Sequence, residues 1–285
     1  MIPGASSAGN GHARKHTRAD AIGPRPAKVA TEVSPIECPA DGGVVLVKQQ
    51  GAMRTGTNLV KFALEENFTN VRVLVNIGRW KHASADAPFT WHGENWEAEG
   101  YNLDVSTRIT TAELRTVRVA VEAGTMRFAI SVRNVYGWLV SYMRFAHWYD
   151  DPPLRDLCDL EDEEIIVAVR QWNVLYRSYL ELLLNAPSSM VFRLEDLHTA
   201  FGATLDRSRL LWGLHRRHTN YVEPARYLRA GIDGQSRFQL FESAPFDRKS
   251  NHPNALLGEL DGSVLDLVRD TVDEHVVHAY GYDVP

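Results

Sequence analysis

The sequence has too few cysteines for a disulfide framework, because only Cys38 and Cys158 occur among 285 residues. The two lack the paired spacing of a zinc site, so we interpret both as ordinary thiols. The cysteine content therefore excludes the small disulfide-rich class of secreted proteins.

Long apolar runs are also missing. No run approaches the roughly 18 residues that span a bilayer, and the N-terminus lacks the apolar centre of a secretory signal. The formal net charge is −5, which argues against nonspecific binding of nucleic acid through the field of the whole protein. We expect a cytoplasmic protein without a membrane span or a nucleic-acid partner, in which local groups hold any anionic ligand.

Bulky apolar side chains are scarce in the first 40 residues, which are rich in Gly, Ala, Pro, Ser, Arg and His. Such a segment cannot bury enough surface to offset the entropy of ordering, so residues 1–40 are predicted to be a disordered leader. Residues 41–285 are long enough to bury a core and are predicted to form a single domain.

Strand and helix patterns alternate through this predicted domain. The predicted strands are 44–49, 71–77, 126–133 and 189–193. One predicted helix starts at Asn58, and others cover 113–123, 137–148 and 163–185. Further helical segments are predicted after residue 197 and end at 279–282. This alternation predicts an α/β fold in three layers, with a central, mainly parallel sheet flanked by helices.

The first strand runs into a glycine loop, residues 51–58, whose spacing is that of a P-loop. Gly51 and Gly56 hold the glycine positions of the pattern G-x-x-x-x-G-K-[ST], but Thr57 and Asn58 replace the lysine and the magnesium-binding hydroxyl. Backbone N–H groups and the dipole of the following helix favour an anion here, and Arg54 is the candidate cation. We therefore expect a P-loop-type fold that lacks the residues with which such loops bind a triphosphate and its magnesium ion. A glycine turn that only connects a strand to a helix has the same spacing.

A second candidate for anion binding lies at the end of the third predicted strand. Arg133 stands at its carboxyl end, and Ser141 follows eight residues later in the next predicted helix. In an open α/β sheet, ligands bind at this end of the strands. Both residues are therefore expected on the same side of the sheet as the glycine loop.

Taken together, these residues resemble the sulfotransferases that use 3′-phosphoadenosine-5′-phosphosulfate (PAPS). The resemblance covers residues 44–197 and rests on the loop 53–58, on the pair Arg133 and Ser141, and on the segment 191–197. It implies that Arg133 and Ser141 bind the 3′-phosphate and that no metal is required.

The same resemblance assigns the glycine loop to the 5′-phosphosulfate. Around Gly56, it places Arg54 in the lysine position of the family, Thr55 in the serine position, and Thr57 and Asn58 in the positions of two threonines. Arg54 keeps the charge of lysine but presents a planar fork. The chain also departs from many relatives at Leu194, where they carry a tyrosine that can contact the nucleotide.

For the reaction, the resemblance implies a base just beyond the second predicted strand, where Lys81 and His82 are adjacent. A neutral imidazole takes a hydroxyl proton near neutral pH, so His82 is the leading candidate, while Lys81 is either a stabiliser of the bridging oxygen or a surface charge. Some relatives use a glutamate instead, which leaves three alternatives nearby: Glu94, Glu97 and Glu99.

The resemblance also assigns roles to two further pairs of charged residues. Arg248 and Lys249 resemble a segment that clamps the 3′-phosphate in cytosolic relatives, although adjacent basic residues in a polar loop are common. Glu195 and Asp196 follow a predicted buried strand as a Walker B acidic pair would, but the resemblance makes them structural.

The sequence thus predicts a sulfotransferase that moves a sulfuryl group from PAPS to a hydroxyl or amine of a small-molecule or carbohydrate acceptor. A noncatalytic nucleotide-binding protein is the alternative from another class, and a kinase with a degenerate loop is disfavoured by the missing Walker residues. Three tryptophans near His82, at positions 80, 91 and 96, would stack on a sugar or aromatic acceptor or pack in a core. The sequence identifies neither the acceptor nor the oligomeric state.

Overall fold

The computed structural model describes residues 43–75, 77–79, 81–87, 111–147, 157–223, 226–233, 236–245, 258 and 260–283, with side chains described except at 111–114 and 226–245. All of these belong to one of the two units into which the chain divides, Pro35–Pro285. The predicted leader, residues 1–40, lies outside the described residues.

A four-stranded parallel sheet forms the centre of an α/β fold. Its strands are β1 (Val45–Gly51), β2 (Val71–Leu74), β3 (Arg127–Val132) and β4 (Met190–Arg193), in the order β2-β1-β3-β4. The chain passes from β1 to β2 on one side and then returns to the other side of β1 as β3. The strand order therefore reverses between β1 and β3, which is where open α/β sheets bind ligands.

Helices cover both faces of the sheet, and two separate apolar cores result. Along β3, Phe128 and Ile130 join one core while Ala129 joins the other, because successive side chains of a strand point to opposite faces. The helices are α1 (Thr57–Asn67), α2 (Thr111–Glu122), α3 (Val135–Ala146), α4 (Asp162–Asn185), α5 (Leu194–Thr199), α6 (Phe201–Trp212), α7 (Gly262–Thr271) and α8 (Glu274–Ala279). The core on the α1 face includes residues of α5 and α6, and the opposite core includes residues of α3, α4, α7 and α8. The α/β class and the parallel sheet flanked by helices are confirmed.

Element ends differ from the prediction where a side chain bonds to the backbone. Helix α3 begins at Val135 rather than 137, because the side chain of Asn134 accepts a hydrogen bond from the Tyr136 amide at 3.0 Å and caps the helix. Strand β2 ends at Leu74 rather than 77, and the next carbonyl, that of Val75, accepts from the Lys48 side chain at 2.5 Å instead of from a neighbouring strand.

The predicted helical segments that end at 279–282 correspond to α6, α7 and α8, whereas the short helix α5 and two strands within residues 226–245 were not predicted. There β5 (Arg226–Asp233) and β6 (Ser236–Pro245) pair antiparallel. Adjacent segments can satisfy each other's backbone groups in this way, and pairing overrides a weak local preference.

No helix in the described part of the chain has the length and apolar character needed to cross a membrane.

Candidate functional site

The candidate site lies at the carboxyl edge of the parallel sheet. Strand β1 leads into the glycine loop, β2 into the segment that carries His82, β3 into Arg133, and β4 into Glu195. Because parallel strands end at the same edge, the fold gathers residues that are distant in sequence.

The glycine loop needs glycine at its first position for two reasons. Gly51 has a φ of 154°, and a Cβ atom there would lie 2.6 Å from the carbonyl oxygen of Ser131 on β3. At the end of the loop, Gly56 has a φ of 80°. Arg54, with a φ of 68°, is the one non-glycine residue of positive φ among those described, a conformation that costs about 1 kcal/mol. Such strained residues often occur at functional sites.

Buried side chains support this loop through hydrogen bonds to backbone groups. The Tyr176 hydroxyl donates to the Ser131 carbonyl at 2.9 Å and accepts from the Ala52 amide at 3.3 Å. The Trp138 indole donates to the Met53 carbonyl at 2.8 Å. Neither role could be predicted, because Tyr176 lies on the apolar stripe of a long helix and such a stripe indicates only burial.

Thr55 takes part in this internal network. Its side chain is buried, and its hydroxyl donates to the Ala52 carbonyl at 2.7 Å. The resemblance places Thr55 in the loop assigned to the 5′-phosphosulfate, and donation of this hydroxyl to that group would require the bond to Ala52 to break. In the observed conformation, Thr55 shapes the loop.

The N-terminus of α1 faces the loop with no side-chain cap and no acidic residue in its first turn. Its first N–H groups and the helix dipole therefore favour an anion. The Lys81 ammonium donates to the Asn58 side-chain oxygen at 2.7 Å, so a lysine from outside the loop lies at the first turn. Thr57 is buried, and its backbone carbonyl accepts from the side-chain amide of Gln49.

The two anion-binding candidates of the sequence meet at this edge. The Arg54 Nε donates to the Ser141 hydroxyl at 3.2 Å, and an Arg133 Nη donates to the Arg54 carbonyl at 3.4 Å. The Arg54 guanidinium also lies over the Phe145 ring, 5.5 Å from its centroid. The structure thus brings Arg54, Arg133 and Ser141 together, as expected from their positions at the ends of parallel strands.

Arg133 is a buried cation with unused hydrogen-bonding capacity. Its side chain is 5% exposed, and its Nε has no hydrogen-bond partner among the described residues. Burial lowers the pKa of Arg133 to about 10, the charge of Glu195 opposes this shift, and the charge of Arg54 adds to it. A buried guanidinium with an unsatisfied N–H is stabilised by an incoming anion, so the residues present fit a phosphate group.

Glu195 and Asp196 have structural contacts at the same edge. Glu195 accepts from the Asn134 amide at 3.0 Å and from the Tyr282 hydroxyl at 2.5 Å, which ties the C-terminal segment to the end of β3. Asp196 pairs with Arg193 at 3.8 Å and Arg207 at 3.6 Å. These contacts agree with the structural assignment, and no group of three or more His, Cys, Asp or Glu in the described ranges is arranged to hold a metal ion.

His82 lies against the start of the glycine loop, with its Nδ1 2.5 Å from the Gly51 carbonyl oxygen. A neutral ring must donate from Nδ1 to this oxygen, so the basic lone pair of the ring is on Nε2. Burial lowers the pKa of His82 to about 3; the charge of Lys81 also lowers it, the Gly51 carbonyl opposes the shift, and the charge of Lys48 lowers it further. In the free protein, His82 is therefore neutral and a weak base.

The segment that carries His82 is fixed by a buried lysine of β1. The Lys48 ammonium donates to the Val75 and Arg79 carbonyls, both at 2.5 Å. The Gly51 amide in turn donates to the Lys81 carbonyl at 2.9 Å. These bonds set the position of the imidazole relative to the loop.

We expect the His82 ring to remain neutral from about pH 8 to about pH 5, whereas an ordinary histidine titrates near 6.5. Because its pKa is lower in the folded state, about 3, the stability that it contributes is present above about pH 6.5 and is lost as pH falls from there toward 3. Nuclear magnetic resonance titration, with the signal assigned by its loss in His82→Gln, measures this directly. A midpoint near pH 6.5 in the folded protein would contradict the burial.

A cavity of about 480 Å³ lies beside His82. Its walls include the loop residue Met53, Trp138 and Tyr142 from α3, and Trp172 and Leu175 from α4. The rings of Trp138 and Tyr142 stack, with centroids 4.7 Å apart and planes 15° apart. The candidate base thus forms part of the wall of a largely apolar and aromatic cavity.

Several predicted site residues lie outside the described residues. These are the basic pair Arg248 and Lys249, the alternative bases Glu94, Glu97 and Glu99, and the tryptophans Trp80, Trp91 and Trp96.

Comparison of the chain with protein-family models, with curated proteins and with solved structures found no match.

Proposed function

We propose that this chain is a sulfotransferase of the P-loop type that moves a sulfuryl group from PAPS to a hydroxyl group of an acceptor. The observation that supports this most is the meeting of the two anion-binding motifs. Arg54 lies within hydrogen-bonding distance of Ser141, and its carbonyl accepts from Arg133, although the motifs are 79 residues or more apart in sequence. One ligand with two separate phosphate groups would occupy both.

The anionic donor would be held by cationic side chains and N–H groups at the ends of adjacent strands. Arg54 and the N–H groups of the loop and of α1 would bind the 5′-phosphosulfate, while Arg133 and Ser141 would bind the 3′-phosphate. The unsatisfied Nε of buried Arg133 and the uncapped start of α1 are the features that fit these groups. Thr57 and Asn58 stand where a triphosphate loop has its lysine and magnesium ligand, so transfer is proposed to need no metal.

PAPS, when bound, supplies an activated sulfuryl group. His82 would accept the proton of the acceptor hydroxyl on Nε2 as the acceptor oxygen forms its bond to sulfur. Arg54 and Lys81 would stabilise the electron pair that leaves with the 5′-phosphate oxygen as the old oxygen–sulfur bond breaks. The anionic donor would also raise the pKa of His82, because opposite charge favours the protonated ring and makes the neutral ring a stronger base.

Replacement of His82 by glutamine is expected to slow sulfuryl transfer by about 100-fold or more, since general-base catalysis contributes at least this much. Glutamine retains an N–H that can donate to the Gly51 carbonyl, so the affinity for adenosine 3′,5′-bisphosphate should change by less than about twofold. Transfer is measured with radiolabelled PAPS and a panel of hydroxylated acceptors, and affinity by calorimetry.

His275→Gln, at an exposed position of α8, is the matched control and should behave as the wild type. Unchanged transfer in His82→Gln would move the base to another residue, such as Glu94. Bisphosphate binding by the wild type without transfer to any acceptor would favour the noncatalytic binding protein.

A further inference from the structure

A carboxylate lies near the buried guanidinium of Arg133 but is not bonded to it. Burial lowers the pKa of Arg133 and the charge of Glu195 opposes this shift, so the two groups interact electrostatically. Within the described residues, however, the Arg133 side chain donates only to the Arg54 carbonyl, and its Nε has no partner. A carboxylate beside a buried guanidinium ordinarily forms an ion pair with it, so other contacts must hold Glu195 away.

Two neutral donors occupy the carboxylate of Glu195. Its Oε1 accepts from the Asn134 backbone N–H at 3.0 Å, and its Oε2 accepts from the Tyr282 hydroxyl at 2.5 Å. The first donor is a backbone group at the start of α3, whereas the second is a side chain of the segment that follows α8. Both oxygens are therefore directed to partners other than Arg133, and a substitution at Tyr282 can remove one of these partners.

The surroundings of Tyr282 fix its hydroxyl in this position. Its side chain is buried, and its amide donates to the Val277 carbonyl at 3.1 Å. The Arg193 guanidinium lies over its ring, 4.4 Å from the centroid, and an Arg193 Nη donates to the Gly281 carbonyl at 2.8 Å. Burial and the charge of Glu195 hold the pKa of Tyr282 well above its ordinary range, so the hydroxyl keeps its proton and donates.

We propose that Tyr282 is a positioning residue of the anion site, which holds the Glu195 carboxylate away from Arg133 and so keeps the guanidinium available to a phosphate group. This inference rests on the proposed function, because it concerns the 3′-phosphate site assigned there. Without the hydroxyl, Oε2 of Glu195 is free to turn toward Arg133 and pair with it, and a phosphate must then displace the carboxylate. The segment that follows α8 thus acts on nucleotide binding through Glu195.

Titration calorimetry with adenosine 3′,5′-bisphosphate tests the proposal. Tyr282→Phe removes only the hydroxyl and should weaken binding by about tenfold, because a charge-assisted bond between Glu195 and Arg133 must then be broken. The affinity for AMP, which lacks the 3′-phosphate, should change by less than about twofold. Tyr221→Phe is the matched control, since this hydroxyl donates at 2.6 Å to another carboxylate, that of Asp206 on α6, and the variant should bind as the wild type does.

A double variant separates this role from general support of the fold. Glu195→Gln leaves no carboxylate to compete for Arg133, so this variant should bind the bisphosphate at least as tightly as the wild type. The loss caused by Tyr282→Phe should then disappear, and the double variant Tyr282→Phe/Glu195→Gln should bind within about twofold of Glu195→Gln. A tyrosine that only stabilised the fold would weaken binding equally in both backgrounds.

The same titrations distinguish this inference from the proposed function. Wild-type affinity in Tyr282→Phe, equal losses in both backgrounds, or an equal loss for AMP would overturn the inference and leave the proposed function standing. If Tyr282→Phe fails to fold, Glu195→Gln alone decides, because weaker binding of the bisphosphate in that variant would show that the carboxylate does not compete. No binding of the bisphosphate by the wild type would overturn the inference and the proposed function together.

Discussion

Replacement of Arg133 by alanine is expected to weaken the binding of adenosine 3′,5′-bisphosphate by roughly 30- to 150-fold, which corresponds to about 2 to 3 kcal/mol. The reason is that Arg133 is buried at the end of β3 with an unsatisfied N–H, so its charge acts on a phosphate with little screening by water. Titration calorimetry at fixed ionic strength measures the change.

Two companion variants show whether the effect is local. Arg133→Lys keeps the charge but loses the planar fork, so its loss of affinity should lie between those of the wild type and Arg133→Ala. Arg269→Ala removes the same charge from an exposed ion pair with Asp266 on α7 and should leave the affinity unchanged. Wild-type affinity in Arg133→Ala, in a protein shown to be folded by thermal unfolding, would contradict the assignment of the 3′-phosphate site.

Gly51→Ala is expected to reduce the free energy of unfolding by about 3 kcal/mol or more, because strain at a positive φ adds to a steric clash. The new Cβ would lie 2.6 Å from a backbone oxygen of β3, and a backbone atom cannot move aside as a flexible side chain can. For a chain of this size, the melting temperature should fall by about 10 °C.

The matched control is Gly262→Ala at the start of α7, where no atom lies within 4 Å of the added Cβ. Its melting temperature should be unchanged or slightly higher, since alanine favours a helix over glycine. If Gly51→Ala melts with the wild type, the close packing of the loop against β3 is wrong. Differential scanning calorimetry compares both variants with the wild type.

The α/β fold could be predicted because its signals are local. The strand β1, the glycine loop and helix α1 are consecutive in sequence, and each has its own pattern of apolar residues or glycines. Arg133 and Ser141 could be placed near the loop because strand ends of a parallel sheet share one edge. The observed contact of Arg54 with Ser141 agrees with that expectation.

The supports of the site could not be predicted, because they depend on pairs that are distant in sequence. Tyr176 reaches the Ala52 amide across 124 positions, and its apolar neighbours in α4 indicate only that it is buried. Lys48 is 1% exposed, and its partners are backbone carbonyls that have no sequence signature. The positive φ of Arg54 could not be predicted either, because this conformation is uncommon for a non-glycine residue.

The pairing of β5 with β6 was missed for a related reason. Strand formation there depends on a partner strand rather than on a preference within the segment, so the segment alone did not indicate it. The cavity beside His82 was likewise beyond the sequence, because it exists only where α3, α4 and the loop meet.

The most direct test of the central claim is titration of the wild-type protein with adenosine 3′,5′-bisphosphate in the presence of EDTA, beside a titration with ADP and magnesium. We expect the bisphosphate to bind without metal and at least about tenfold more tightly than ADP, because only the bisphosphate can occupy both the loop and the Arg133 site. Tighter binding of ADP with magnesium, or no binding of the bisphosphate without metal, would contradict the proposal that this chain is a PAPS-dependent sulfotransferase.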